Sequence, residues 1–152
     1  MKKFLLLVVA FLFLGIGAQA QSTMSKGQLV GSARLGFSNG GIPLAVAVDY
    51  GIANGFINGN GAFSAGGELG LFMWNNNNGS GISMSAAARA NLHYEFVSNL
   101  DTYFGVKLGI LNGFDANAYI GGRYYFGKLA VNLELGGGLN NLGGSIGVSM
   151  KL

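Results

Sequence analysis

The 152-residue chain lacks cysteine entirely and is poor in charge. Without cysteine we expect neither a disulfide scaffold nor a lipoprotein anchor, so the mature chain must fold by burial alone. Charged residues make up 10% of the chain, whereas soluble domains typically carry about 25%. A surface this poor in charge suits water badly, which indicates that another solvent covers it.

Long hydrophobic runs are also missing beyond residue 17, although half of the residues are apolar. No later segment is long enough to span a bilayer as a helix. An uncharged exterior without spanning helices favours a closed transmembrane β-barrel, which satisfies its backbone hydrogen bonds between strands.

The amino terminus has the pattern of a secretory signal peptide. Two lysines precede a short apolar run over residues 4–17, and small residues follow at 18 and 20. We expect cleavage after Ala20, which leaves a mature domain of residues 21–152. Removing the two lysines from nine basic residues leaves seven against six acidic ones. A chain so near neutrality gives no support to nucleic-acid binding.

The longest alternating stretch is ISMSAAARANLHYEF, residues 82–96, which holds the single histidine. Every even position is apolar, and six of the seven odd positions are polar. This period of two predicts a strand, because the same residues would form no continuous face on a helix.

Seven further stretches alternate in the same way and are separated by turn signals such as Asn54-Gly55. The third strand can start anywhere from residue 57 to residue 63. The sequence therefore predicts eight strands and no helix outside the signal peptide. Their clearly alternating parts are residues 28–37, 44–52, 68–74, 82–96, 102–110, 116–126, 129–136 and 145–152.

Charge decides which face of these strands is inside, since alternation alone fits both a lipocalin-like soluble barrel and a membrane barrel. One face collects nine charged residues: Arg34, Asp49, Glu68, Arg89, Glu95, Lys107, Arg123, Glu134 and Lys151. They are too few to cover an exterior, but five cations and four anions nearly neutralise one another in a narrow lumen. We therefore expect the apolar face to meet lipid.

The expected lumen is a filled one. We predict that Arg34, Arg89, Arg123 and Lys107 pair there with Asp49, Glu68, Glu95 and Glu134. Glycines within the strands are expected to leave room for Phe72, Trp74, Tyr103, Tyr119 and Tyr125. The remaining charged residues are placed at strand ends or turns: Lys26, Asp101, Asp115 and Lys128.

Aromatic residues on the apolar face cluster toward one rim of the predicted barrel. They are Tyr50, Tyr94, Phe96, Phe104, Tyr124 and Phe126. This is the aromatic girdle expected at a membrane interface, and the short connections beside it indicate the periplasmic side.

Three segments carry a resemblance to a known family: IPLAVAVDYGI, ARANLHYEF and GGRYYFG. With them, the whole mature chain resembles the small eight-stranded, OmpA/OmpX-like porin-type barrels of Gram-negative outer membranes. The chain ends in Leu152 where such barrels commonly end in phenylalanine. The resemblance implies assembly by periplasmic chaperones and the barrel-assembly machinery, and a monomer among lipopolysaccharide and phospholipid.

Arg89, His93 and Glu95 are the first candidates for catalysis. The resemblance implies that a lipid-modifying barrel would carry a serine, histidine and acid near the outer leaflet. Here the histidine is expected in the lumen near the periplasmic rim, away from lipid, so we expect no enzyme. One histidine with scattered carboxylates also predicts no metal site, and no glycine-rich segment precedes a helix that would bind a phosphate cofactor.

We expect a structural role in the envelope, or surface interaction through short outer loops. Eight strands leave an interior just wide enough for side chains to fill. Two alternatives remain open: a narrow passive channel for water or small solutes, and a secreted, soluble, lipocalin-like ligand binder.

Overall fold

The computed structural model describes residues 24–38, 41–76, 79–110, 113–136 and 143–152. The expected signal peptide, residues 1–20, lies outside these ranges. The eight strands are β1 (Leu29–Gly36), β2 (Gly41–Phe56), β3 (Gly61–Asn76), β4 (Gly79–Val97), β5 (Leu100–Ile110), β6 (Phe114–Phe126), β7 (Leu129–Gly136) and β8 (Gly144–Lys151).

Each strand pairs antiparallel with the next, and β8 returns to pair with β1, so the sheet closes into a barrel. The prediction of an all-β, eight-stranded, up-and-down antiparallel barrel is confirmed. Among the described residues, no helix is long and apolar enough to cross a bilayer.

One rim of the barrel carries the turns at residues 57–60, 98–99 and 127–128, together with the start of β1 and the end of β8. We call it the turn rim, and the opposite one the loop rim. The β4–β5 turn is tight, because Asn99 adopts the left-handed conformation (φ 69°) that asparagine tolerates well. β5 consequently starts at Leu100, two residues earlier than expected.

The two faces of the sheet differ sharply in polarity. Large apolar side chains are exposed on the outside of all eight strands, for example Val46, Leu69 and Val106. Among the described strand residues, no charged side chain lies on that outer face. The buried side chains of the interior are mainly polar or charged. The barrel therefore has a polar core and an apolar exterior.

Glycines on the inner face make room for lumenal rings, as expected. A Cβ at Gly121 would overlap the ring of Tyr103, and one at Gly105 would overlap the ring of Tyr119. Both tyrosines are buried. Small residues opposite large ones thus let eight strands enclose several aromatic side chains.

Candidate functional site

Nine charged side chains among the described residues are almost completely buried. They are Arg34, Asp49, Glu68, Arg89, Asp101, Lys107, Arg123, Glu134 and Lys151. Five are cations and four are anions, so their charges nearly cancel. Isolated charges could not be buried in this way, because each would lose its hydration without compensation.

Two glutamates organise the half of this set nearer the loop rim. Glu68 and Glu134 both pair with Arg34, and both accept from Arg89, over 2.8 Å and 2.7 Å respectively. Lys107 Nζ lies 3.0 Å from Glu68 Oε1 and 3.2 Å from Glu134 Oε2. These five side chains form one closed ion-pair cluster, contributed by five different strands.

A second cluster lies nearer the turn rim. Asp49 pairs with Arg123, lies 3.0 Å from Arg89 Nε and accepts from Asn91 Nδ2 over 3.1 Å. Arg123 also approaches Asp101, at 3.7 Å between NH1 and Oδ2. Arg89 belongs to both clusters, so the eight charged side chains of the two clusters form one continuous network.

Asp101, and not Glu95, stands beside Arg123. Asp101 pairs directly with Arg123 between β5 and β6 and points into the lumen. Glu95 is half-buried at the turn rim, where its Oε1 accepts from the Asn99 backbone N–H over 3.3 Å. The difference arises because a bulge follows Glu95 and because the turn is shorter than the sequence suggested.

His93 joins two lumenal groups that the sequence did not single out. Its Nε2 lies 2.8 Å from Ser64 Oγ, and its Nδ1 lies 2.8 Å from Asp101 Oδ1. All three residues are fully buried. A carboxylate only accepts, so it assigns the imidazole proton to Nδ1, and Nε2 then accepts the hydroxyl proton of Ser64.

Asn91 completes this assignment from the neighbouring position. Its Nδ2 donates to Ser64 Oγ over 3.1 Å, which leaves the hydroxyl proton free to go to His93. Its side-chain oxygen accepts from the hydroxyl of Tyr119. Ser64, His93 and Asp101 therefore have the order hydroxyl, imidazole, carboxylate that nucleophilic serines use.

The structure thus separates the sequence candidates Arg89, His93 and Glu95. Arg89 bonds to carboxylates, His93 to Ser64 and Asp101, and Glu95 to a turn. Two signals in the sequence indicated that Asp101 and Ser64 face the lumen. Asp101 is an even number of positions from Lys107 along β5, and Ser64 is an even number of positions from Glu68 along β3. Neither indicates contact with His93, because that contact depends on the register between strands.

The other sequence candidates lie at the turn rim. Lys151 is buried with its Nζ 4.3 Å from the ring centre of Tyr125. The six aromatic candidates all face outward; Phe96 is the most exposed at 72%, and Tyr50 and Phe104 are about half exposed. Tyr94 packs edge-on against Phe96, and Tyr124 against Phe126.

Within the described ranges, no group of three or more histidine, aspartate or glutamate side chains is arranged to hold a metal ion. The hydrogen-bonding capacity of His93 is taken up by Ser64 and Asp101. What the lumen can do chemically is therefore to balance charge and to polarise one serine.

Comparison with known proteins gives no relative: no family model, no curated protein and no solved structure matches the chain. The resemblance to OmpA/OmpX-like barrels accordingly stays a prediction.

Proposed function

We propose that this chain is an integral outer-membrane barrel with a side-chain-filled lumen, serving envelope integrity or surface interaction. One observation carries the proposal: charge is buried inside the barrel, and apolar side chains are exposed outside it. In water, both the burial of charge and the exposure of apolar side chains would cost free energy. In a bilayer, an apolar exterior is favourable because it contacts lipid.

The exposed apolar area supports this environment. Soluble monomers rarely show contiguous apolar patches above a few hundred Å². Here every strand contributes exposed residues such as Leu35, Ile82 and Ile146, so the patch encircles the barrel. Closure of β1 on β8 also leaves no open sheet edge, which lipid would not tolerate.

The expected signal peptide and the barrel together support an outer-membrane location. On this proposal the turn rim is periplasmic, and its outward aromatic residues lie at the headgroup level. Lipopolysaccharide and phospholipid are the surrounding partners, and periplasmic chaperones with the barrel-assembly machinery deliver a monomer.

Fractionation with a heat-modifiability gel tests the proposal. The protein should sediment with outer membranes, and the unboiled sample should migrate differently from the boiled one, because a closed barrel resists the detergent. A protein recovered from the soluble fraction with no gel shift would overturn the membrane assignment and favour the soluble binder.

The filled lumen argues against a wide solute channel. Arg89, Lys107 and Glu134 are all nearly buried at mid-barrel and are bonded across it. We expect no steady conductance in planar bilayers and no solute flux in liposome swelling. Reproducible flux from wild-type protein would instead support the narrow passive channel.

A further inference from the structure

Residues 24–28 form a strap across the turn rim. Gly27 N–H donates to Gly51 O and Gly51 N–H to Gln28 O, both over 2.8 Å. Lys26 N–H donates to Asn54 Oδ1 over 3.1 Å. These bonds fasten the strap to β2 and direct Met24 into the lumen, where it is only 1% exposed.

Met24 lies directly on the turn-rim side of Ser64. It packs with Val30 and Ala62, and Ala62 precedes Ser64 by two residues on the same inner face and pairs with His93. Gly51, the partner of Ser64 in β2, would bring a Cβ within 3.4 Å of Met24 Cγ. The methionine therefore covers the Ser64–His93 pair.

A second buried serine in the lumen has its hydrogen bonds satisfied without an imidazole, so burial alone does not explain why Ser64 bonds to His93. Ser149 Oγ accepts from Asn132 Nδ2 over 2.7 Å and bonds to Ser32 Oγ over 2.8 Å. Ser64 has the matching amide donor in Asn91 but bonds to an imidazole held by a carboxylate. The barrel thus satisfies one serine with neutral groups and supplies the other with a base.

We propose that Ser64 is a nucleophile toward small carboxylic esters, with His93 as its base and Asp101 as a positioning residue, and that the strap governs access to it. With the strap closed, Ser64 is sealed, in agreement with the filled-lumen role. With the strap lifted, an ester entering from the turn rim reaches it.

The step is ordinary acyl transfer. Ser64 Oγ bonds to the carbonyl carbon while its proton passes to His93 Nε2. The ester C–O bond then breaks, and the same proton leaves with the alcohol. Water then bonds to the acyl carbon and gives a proton to His93 Nε2, the acyl C–Oγ bond breaks, the carboxylic acid leaves and Ser64 Oγ takes the proton back from His93. Asn91 Nδ2, which donates to Ser64 Oγ over 3.1 Å, holds that oxygen in position for the attack.

The probe is diisopropyl fluorophosphate, applied to the full barrel in detergent micelles. Ser64 Oγ bonds to phosphorus, fluoride leaves, and His93 takes the proton; peptide mass spectrometry locates the adduct. Met24→Gly removes the cover. Gly51→Ala displaces the strap independently, since its Cβ would overlap the carbonyl oxygen of Ser25. Each should raise the rate of Ser64 modification roughly tenfold or more over wild type, because rate follows the accessible fraction.

Three controls in the Met24→Gly background separate activation from exposure. Ser32 and Ser149 should stay unmodified. His93→Gln should lower the Ser64 rate by roughly 100-fold, the contribution typical of a general base. Asp101→Asn should also lower it, and Asp101→Glu should restore part of it, while the gel shift of the folded barrel persists.

Three results would each contradict the proposal that Ser64 is a nucleophile covered by the strap. The proposal is wrong if Ser64 stays unmodified in both strap variants, if wild type reacts equally fast, or if His93→Gln leaves the rate unchanged in a folded barrel. None of these outcomes touches the membrane assignment, which fractionation tests separately.

Discussion

At the scale of single residues, Arg89 holds the lumenal network together. Its guanidinium contacts Glu68, Glu134 and Asp49 through three different nitrogens. A lysine could not replace it, because an ammonium group lacks the planar fork that reaches several carboxylates in fixed directions.

Arg89→Ala should lower the free energy of unfolding by about 3 to 5 kcal/mol, because it leaves buried carboxylates short of a partner. Urea titration, followed by the gel shift of the folded form, measures this. Lys128→Ala, at an exposed turn, is the matched control and should change little. Equal stability of the two variants would contradict the network.

Two adjacent glycines in β6 offer a second test at this scale. A Cβ at Gly121 would overlap the Tyr103 ring, whereas at Gly122 the nearest atom is a backbone oxygen at 3.8 Å. We expect Gly121→Ala to destabilise the barrel by about 1 to 3 kcal/mol through overpacking, and Gly122→Ala to be nearly neutral. The same urea titration compares them, and the reverse order would refute the inward orientation of Gly121.

At the scale of a strand, β5 shows how one segment serves two environments. Tyr103, Gly105 and Lys107 are buried in the lumen, while Phe104 and Val106 are exposed outside. The inward side chains complete hydrogen bonds and ion pairs, such as Tyr103 OH to Glu134 over 2.8 Å. The outward side chains are apolar and need no hydrogen-bond partner, so they are suited to lipid.

An arginine on the outward face should be depth-sensitive if that face lies in lipid. Val106→Arg, at mid-strand, should cost about 2 to 4 kcal/mol, and Val97→Arg, beside the β4–β5 turn, about 1 or less. Unfolding titrations in lipid vesicles measure both. In a water-exposed barrel neither arginine would destabilise, so two neutral variants would contradict the lipid assignment.

Strand bounds were predicted closely where the alternation is unbroken and only as a window where small residues hide it. Residues 82–96 predicted β4 within a few positions. The start of β3 at Gly61 lies within the predicted window of residues 57 to 63, which alternation could not narrow because Ala65, Gly66 and Gly67 give no contrast between the two faces. Asp101 was assigned to a turn because the sequence does not show that Asn99 makes the reversal so tight.

At the scale of the whole molecule, the polar interior and apolar exterior were predictable from the sequence, because in every strand the charged residues occupy the alternate positions that face one side of the sheet. The Ser64–His93–Asp101 contact was not. It requires β3, β4 and β5 to align so that Ser64 faces Asn91 and Ala62 faces His93. Such alignment is set by turn lengths and barrel closure, which no local pattern encodes.

The most direct test of the central claim is a nitroxide scan along β5 in lipid vesicles, which the absence of native cysteine makes simple. Single cysteines at the outward positions 104, 106 and 108, and at the exposed turn position 128 as a control, carry the label. Labels at 104, 106 and 108 should collide readily with oxygen and poorly with a water-soluble nickel complex, whereas the label at 128 should collide readily with the nickel complex. Outward labels that meet the nickel complex freely would contradict a barrel with its apolar face in lipid.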